Sequence, residues 1–329
     1  MGLSMMGFVR RHRALTVLCV LALVLVVGLG TWLAVLNHRF SEVPRFDADL
    51  DRADRPDRVE TEAMNVLLIG VDNGGGHDLR EQLQSGEWVE GSFRSDTMMI
   101  WHLSADRDHS QVVSLPRDSW VEIPGHGDAK LNAAFSYGGP ELLVHTLEDT
   151  VGVFIDHVGV IDFEGFAEVT RTLGGVEVPT TDGTETLQGA EALAYVRDRK
   201  SLPNGDFDRI DRQQHFLRTV LEDAVAEGRT NPAKLTSLIG DLSELAVLDS
   251  GFDNGLLRSL TTTATTQGAG EFLFLTAPHN GTDTIDGQSV VLLDLDATRS
   301  LFEAISRDEF EDYRRQHELD LLPAPDKVQ

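Results

Sequence analysis

An uncharged apolar segment near the N-terminus limits most strongly what this chain can fold into. Residues 14–36 contain no charged side chain, and Leu, Val and Ala dominate them. At the rise of an α-helix, a segment of this length can cross the roughly 30 Å hydrocarbon core of a bilayer. The sequence therefore predicts one transmembrane helix over residues 14–36, which separates a short N-terminus, residues 1–13, from the rest of the chain.

The charges on either side of this segment predict its orientation. Arg10, Arg11 and Arg13 precede it, whereas several aspartates follow it, beginning with Asp47. Because positively charged flanks stay inside, we expect residues 1–13 in the cytoplasm and the remainder outside, held by a single-pass anchor in the cell membrane. A cleaved signal peptide is the alternative, but its apolar core is usually only about 7–15 residues long.

The net charge of the chain limits the kinds of molecule that it can bind. The formal net charge is −26, and the first 46 residues hold five arginines and one glutamate, so the remainder carries −30. Such a surface repels polyanions at long range, and we expect no nucleic-acid partner. The single cysteine, Cys19, lies in the apolar segment. An intrachain disulfide and a cysteine-based zinc site are therefore excluded.

The hydrophobic pattern beyond the anchor predicts three regions. Residues 37–58 are rich in Asp and Arg and contain two prolines, which predicts a solvated extracytoplasmic stalk. Residues 59–306 alternate short β-like and longer helical stretches, which favours one α/β domain with helices on both faces of a sheet. Residues 307–329 are predicted to form a polar C-terminal tail.

Acidic and basic side chains stand at the ends of the predicted strands. Asp72 follows one strand, Arg94 and Asp96 introduce the next, and Arg117 follows the third. Two carboxylates at one sheet edge could hold Mg²⁺, and the guanidinium groups could bind phosphate oxygens. The alternatives remain open here, because Asp72 also fits an ordinary turn and each arginine could pair with a nearby aspartate.

A cluster of arginines lies at the start of the longest predicted helix outside the anchor. Arg209, Arg212 and Gln213 occupy positions i, i+3 and i+4, which gathers them on one helix face. The free N–H groups and the dipole of the first turn also favour an anion there. Arg197 and Arg199 precede this helix. In so acidic a chain, this concentration of arginine indicates a local pocket for a pyrophosphate.

Several common enzyme motifs are missing from the sequence. It contains no phosphate-binding Gly-Lys-Ser/Thr loop, no Gly-x-Gly-x-x-Gly, no Gly-x-Ser-x-Gly and no His-Glu-x-x-His. Its histidines lack a zinc-like spacing, so each is interpreted as a structural or surface residue. If a metal binds, oxygen or histidine ligands are expected to hold it.

Eight segments, in order and at matching spacing across residues 59–305, resemble the LytR-CpsA-Psr family. They are NVLLIGVD (65–72), RSDTMM (94–99), SLPRDS (114–119), KLNAAFSYGG (130–139), DHVGVIDFEGF (156–166), LGGV (173–176), LAYVRDR (193–199) and DFDRIDRQQ (206–214). Together they are far more specific than any one of them.

This resemblance implies a fold and an activity. The fold is a three-layer α/β/α sandwich with a central mixed sheet, anchored in the membrane and facing outward. The activity is that of a phosphotransferase, which moves a glycopolymer such as teichoic acid, capsule or arabinogalactan from a polyprenyl-pyrophosphate carrier onto peptidoglycan. A hydrolase acting on the same carrier and a non-catalytic regulatory or binding domain are the alternatives.

The resemblance also implies roles for single residues. Asp72 and Asp96 would hold Mg²⁺, or Mn²⁺ in its place, and Arg94, Asp96 and Arg117 are the candidate catalytic residues. The candidate pyrophosphate-binding residues, including Arg212 from the helix face above, are Arg94, Arg117, Lys130, Asn132, Arg197, Arg199, Arg209, Arg212 and Gln213.

The chain departs from the family pattern between Asp72 and Arg94. This stretch is longer than the usual family loop, and it contains Trp88, a candidate for a hydrophobic or a glycan-contacting role. Substrate choice could depend on it. Val71 replaces a serine that is frequent in the family, which affects a minor polar contact and leaves the metal prediction unchanged.

Overall fold

The computed structural model describes residue 27 and residues 30–72, 77–180, 183–198, 202–267 and 271–328. The strands in this part of the chain are β1 Arg45–Phe46, β2 Met64–Asp72, β3 Arg94–Leu103, β4 His109–Ser114, β5 Trp120–Ile123, β6 Gly127–Lys130, β7 His157–Asp162, β8 Val176–Thr180, β9 Gly183–Leu187, β10 Ala246–Asp249, β11 Glu271–Thr276, β12 His279–Ile285 and β13 Gln288–Leu293.

Seven of these strands form a central sheet in the order β1-β10-β7-β2-β3-β4-β11. The sheet is mixed, because β2 pairs with β7 in parallel and with β3 in antiparallel orientation. The remaining strands form three two-stranded hairpins, β5–β6, β8–β9 and β12–β13. The predicted central mixed sheet is therefore confirmed.

Helices cover both faces of the sheet. They are α1 (residues 30–42), α2 Leu79–Ser85, α3 Leu131–Val151, α4 Phe163–Leu173, α5 Ala190–Arg197, α6 Asp206–Thr230, α7 Pro232–Leu245, α8 Asn254–Gln267, α9 Leu295–Ser306 and α10 Phe310–Gln316. Because side chains alternate along a strand, Leu67 and Ile69 of β2 face the core formed with α3 and α9, whereas Val66 and Leu68 face α1, α7 and α8.

The segment after the predicted anchor differs from the expected solvated stalk over residues 37–58. Leu36, Phe40 and Val43 are buried in a core cluster with α7 and α8, and Phe46 belongs to the central sheet. Leu36 and Phe40 lie four residues apart on α1 and form its buried face, and Val43 and Phe46 continue the buried path after the helix ends. The folded domain therefore begins before residue 59, and the stalk prediction is corrected.

Of the predicted membrane segment, the structure describes residue 27 and residues 30–36. Across the described part of the chain, no helix is both apolar enough and long enough to span a bilayer. The transmembrane helix over residues 14–36 and the cytoplasmic residues 1–13 stay predictions.

The C-terminal segment also differs from the expected polar tail over residues 307–329. Phe310 is buried in the main core, and Leu321 makes an antiparallel bridge to Leu275 on β11. The amide of Leu322 donates to the carbonyl of Phe274 at 2.8 Å. This segment therefore covers the outer edge of the central sheet, which would otherwise expose unpaired backbone groups.

Candidate functional site

A cavity of about 920 Å³ opens where β3, the turn after β4, the start of α3 and the start of α6 meet. Four arginines, one lysine and two aspartates contribute to its lining, together with smaller polar and aromatic side chains. The lining residues are Gly91, Ser92, Phe93, Arg94, Asp96, Arg117, Asp118, Lys130, Asn132, Ala133, Ser136, Tyr137, Arg197, Arg209, Gln213 and Gln288.

The start of β3 contributes Arg94 and Asp96 to the cavity. The pairing of β2 with β3 is regular up to Gly70 opposite Thr97, but the next pair joins Val71 to Ser95. Asp96 is therefore an extra residue in β3, as in a β-bulge. Bulges redirect side chains at functional sites. This one lies at the part of β3 that contributes Arg94 and Asp96 to the cavity.

The turn after β4 contributes Arg117, whose backbone is held by α3. The amides of Leu131 and Asn132, at the start of α3, donate to the carbonyls of Ser119 and Arg117 at 2.8 and 3.0 Å. The first N–H groups of a helix have no partner within the helix. The carbonyls of the turn accept hydrogen bonds from two of these N–H groups, and the two bonds hold the backbone of Arg117 against the start of α3.

Arg117 is the centre of the charge network in the cavity. Its guanidinium forms an ion pair with Asp96 and lies 3.7 Å from Asp206 Oδ1 and 3.9 Å from Asp118 Oδ2. Burial alone would lower the pKa of this guanidinium, but the carboxylates of Asp96, Asp206 and Asp118 raise it above its ordinary value. The site therefore holds Arg117 firmly in its charged form.

Helix α6 contributes Arg209 and Gln213, one turn apart. Arg209 is buried, and its Nη2 lies 2.7 Å from Asp206 Oδ1 in the same helix. The Gln213 side chain accepts a 2.9 Å hydrogen bond from Thr97 Oγ1 and donates a 3.3 Å bond to the carbonyl of Val196. Gln213 thus connects β3 and α5 to α6.

Three further predicted residues reach the cavity from other elements. Arg197 comes from the end of α5, Lys130 ends β6, and Asn132 begins α3. The Lys130 Nζ atom lies 3.0 Å from Asp118 Oδ1. With Arg94, Asp96, Arg117, Arg209 and Gln213, these three residues bring the number of predicted site residues that line the cavity to eight. Their functional roles stay predictions.

Arg212 is a predicted phosphate ligand that does not line the cavity. Its guanidinium carbon lies 4.5 Å from the centre of the Tyr195 ring, and its Nη1 is 3.6 Å from Asp198 Oδ2. The structure therefore assigns Arg212 to the packing of α5 against α6. Arg199 lies outside the described residues.

The predicted metal ligands lie at the same end of two paired strands. The backbone of Asp72 is registered opposite Arg94, two residues before Asp96; the side chain of Asp72 lies outside the described parts. Among the described residues, no three His, Cys, Asp or Glu side chains converge as a metal site. Mg²⁺ commonly uses one or two carboxylates plus substrate phosphates, and the metal role of Asp72 and Asp96 stays a prediction.

Several residues at or beside the cavity were not predicted from the sequence. Asp118 and Asp206 are the carboxylates that pair with Arg117, Lys130 and Arg209. Asp118 lies in the family-like segment SLPRDS and Asp206 in the segment DFDRIDRQQ. Their position in these segments was the sequence feature that could have indicated them as site residues. Gln288 comes from the β12–β13 hairpin, and no sequence signal connects it to the site.

Comparison with known proteins supports a common fold and family. The chain is 29% identical over 290 residues to the cell wall biosynthesis protein LcpA of Corynebacterium glutamicum, a match that covers 73% of this chain and 55% of LcpA. It is 30% identical over 284 residues to the polyisoprenyl-teichoic acid–peptidoglycan teichoic acid transferase TagU of Oceanobacillus iheyensis, covering 76% of this chain and 83% of TagU. The chain thus spans about half the length of LcpA.

A solved structure shares the fold. The LytR-Csp2A-Psr enzyme from Actinomyces oris superposes with a TM-score of 0.60 at 22% identity, over 80% of this chain and 96% of that one. The LytR_cpsA_psr family model matches residues 40–306, which include the whole central sheet and every lining residue of the cavity. The chain therefore belongs to the LytR-CpsA-Psr family.

Proposed function

We propose that this chain is a phosphotransferase that moves a glycopolymer phosphate from a polyprenyl-pyrophosphate carrier onto peptidoglycan. One observation carries the proposal: a chain with a formal net charge of −26 concentrates four arginines and a lysine around one cavity. Such a concentration of cations opposes the field of the rest of the protein. It fits a compact, multiply charged anion, and a diphosphate is of that kind.

The relatives support the kind of reaction. TagU of Oceanobacillus iheyensis is named as a transferase between polyisoprenyl-teichoic acid and peptidoglycan, and LcpA is named as a cell wall biosynthesis protein. We infer that this chain acts on a teichoic acid, capsule or arabinogalactan-type polymer with the same linkage to a lipid carrier.

The cavity residues would act mainly through charge. Arg94, Arg117 and Arg209 can donate several hydrogen bonds to phosphate oxygens in fixed planar geometry. They would stabilise the negative charge that builds up as a hydroxyl oxygen of the acceptor sugar bonds to the glycan-linked phosphorus and the anhydride P–O bond breaks. Polyprenyl phosphate leaves with the electron pair of that bond.

Asp96 has two proposed roles in this scheme. With Asp72 it would hold Mg²⁺, or Mn²⁺, which would supply further positive charge to the diphosphate. Its carboxylate would also orient the acceptor hydroxyl and accept its proton. The ion pair between Asp96 and Arg117 keeps this carboxylate at the centre of the cationic cluster, where the acceptor must approach.

The proposed anchor over residues 14–36 would serve the same reaction. The lipid carrier is confined to the membrane, so tethering the domain to that membrane raises the effective concentration of the donor. The protein would then be a single-pass membrane protein with residues 1–13 in the cytoplasm and the domain outside.

A transfer assay in lipid nanodiscs tests this function. The full chain would be incubated with Mg²⁺, purified peptidoglycan and a polyprenyl-diphosphate glycan labelled in the sugar. We expect label in the insoluble peptidoglycan and a loss of at least about 100-fold for Asp96→Asn. Label released only as soluble glycan phosphate would identify a hydrolase. Binding of the donor without any turnover would identify a non-catalytic binding domain.

A further inference from the structure

Helix α3 is broken at a pair of glycines beside the cavity. Gly138 has φ −137° and ψ 21°, and Gly139 has φ 65° and ψ −155°, neither of which is helical. The positive φ at Gly139 is readily adopted only by glycine. The break separates residues 131–137, which lie along the cavity, from the second half of α3 in the core.

The break leaves the carbonyl of Ser136 without its helical donor. In a regular helix this carbonyl would accept from the amide four residues later, but that residue is Pro140, which has no N–H group. Two donors from the segment between α2 and β3 replace it. The indole Nε1 of Trp88 donates at 3.2 Å and the amide of Gly91 donates at 3.0 Å.

The indole of Trp88 also fills the break. A Cβ atom built at Gly139 would lie only 3.0 Å from two ring atoms of Trp88. The ring centre of Trp88 lies 5.0 Å from that of Phe135 and 5.6 Å from that of Phe93. Trp88 therefore contacts the protein on several sides, in keeping with the hydrophobic one of the two roles that the sequence suggested.

These contacts join two parts of the cavity lining that carry no charge. Gly91 and Ser92 follow Trp88, whereas Ser136 and Tyr137 precede the break, and all four line the cavity. This neutral wall, defined by Gly91, Ser92, Ser136 and Tyr137, depends on Trp88 for its shape. Arg94, Arg117 and Arg209 are held by other contacts, namely the pairing of β3 in the sheet and ion pairs.

We propose that Trp88 is a positioning residue that sets the neutral wall at the spacing needed for the sugar attached to the diphosphate of the donor. Hydroxyl groups and a phenol ring provide the hydrogen bonds and the flat apolar surface that suit a pyranose ring. A polyprenyl chain would instead require a continuous aliphatic surface. This inference rests on the proposed function, because that function supplies the sugar-bearing diphosphate.

Hydrogen exchange of the full chain in nanodiscs tests the positioning role without any ligand. Trp88→Phe keeps a ring but loses the indole N–H, and Trp88→Ala loses both. We expect faster amide exchange in residues 131–137 for both variants and unchanged exchange in residues 141–151. Trp101→Phe, which alters a tryptophan of β3 outside the cavity lining, is the matched control. Unchanged exchange in residues 131–137 would overturn the proposal.

Calorimetric binding tests the sugar specificity. The probes are farnesyl diphosphate and the same lipid diphosphate carrying N-acetylglucosamine. For Trp88→Ala we expect about ten-fold weaker binding of the sugar-bearing probe, the effect of losing one or two hydrogen bonds, and less than about two-fold change for farnesyl diphosphate.

Equal losses for the two probes would overturn the sugar assignment. If the wild-type chain bound neither probe, the proposed function would fail, whereas the exchange experiment would still decide whether Trp88 positions the wall.

Discussion

Thr97 Oγ1 donates a 2.9 Å hydrogen bond to Gln213 Oε1 across the boundary between the central sheet and α6. Thr97 lies one residue after Asp96, and Gln213 lies one helical turn after Arg209. The bond therefore fixes the strand that carries Asp96 relative to the helix that carries Arg209. It connects the parts of the cavity lining that β3 and α6 contribute.

Replacing Thr97 tests this connection. Thr97→Val preserves the shape of the side chain but removes the donor to Gln213, so we expect a loss of about 1 kcal/mol in the free energy of unfolding. Donor binding should weaken as well. Thr97→Ser keeps the hydroxyl and is the control. Urea denaturation of the two variants compares them directly, and equal stabilities would show that the bond contributes nothing.

Arg209 and Arg212 offer a matched pair on one helix. Arg209 lines the cavity, whereas Arg212 packs on Tyr195. Because only Arg209 is placed to contact phosphate, we expect Arg209→Ala to lower the transfer rate by about 100-fold. Arg212→Ala should cost less than about ten-fold, through lost packing. Comparable losses in the nanodisc transfer assay would contradict this assignment of the two arginines.

Asp211 gives a prediction about pH. Burial, with the nearby carboxylates of Asp320 and Asp208, raises the pKa of Asp211 from 3.8 to about 7. The folded state therefore binds the proton more tightly than the unfolded state does. Its contribution to stability is complete below about pH 4 and is lost as the pH rises through 7.

We expect Asp211→Asn to stabilise the protein at pH 8 by about 1–2 kcal/mol, a value reduced from the full shift because the carboxyl is partly exposed. The variant should also show a flatter stability profile between pH 4 and pH 7. Urea unfolding at pH 5 and pH 8 measures both effects, with exposed Glu62→Gln as the control. If Asp211→Asn were no more stable at pH 8, the raised pKa would be refuted.

Glu148 provides a test of how the N-terminal segment is held. Its buried carboxylate forms ion pairs with Arg55, whose Nη2 lies at 2.6 Å, and with Arg52, whose Nη2 lies at 2.9 Å. Glu148→Gln would remove the buried carboxylate that pairs with Arg55 and would leave Arg52 with only its more exposed partners Asp54 and Asp149, so we expect a loss of about 3 kcal/mol or more. Asp149→Asn, at the neighbouring half-exposed position, should change stability little. Limited proteolysis should then cut residues 45–58 faster only in Glu148→Gln.

Phe40 distinguishes a packed N-terminal segment from a solvated stalk. Its side chain is almost completely buried against α7 and α8, whereas Leu33 on the same helix is half exposed. Removing the buried ring in Phe40→Ala should cost about 3–5 kcal/mol, and Leu33→Ala should stay within about 0.5 kcal/mol. Thermal unfolding of the full chain in detergent measures both variants. Equal losses of stability in the two variants would support the original prediction that this segment is a solvated stalk.

The local pattern of the sequence predicted most of the sheet. The nearly continuous apolar run of residues 65–71 predicted a buried strand, and β2 spans Met64–Asp72. Such a strand needs apolar side chains on both faces, which is a property of neighbouring residues alone. The sequence Gly138-Gly139-Pro140 is also typical of a helix start at Pro140, because proline suits the first turn, and a helical stretch does follow the break at the two glycines. What the local pattern did not show is that residues 131–137 form a helical stretch before the break, whose end receives hydrogen bonds from Trp88 and Gly91.

The sequence by itself determined the α/β class, the family and the presence of arginine at the start of α6. These follow from periodicity and from short motifs, which need no knowledge of distant contacts. Only the tertiary structure decided that Arg209 faces the cavity while Arg212 packs on Tyr195, and that Phe40 is covered. Helical spacing fixes which side chains share a face, but residues far away in the chain decide what that face meets.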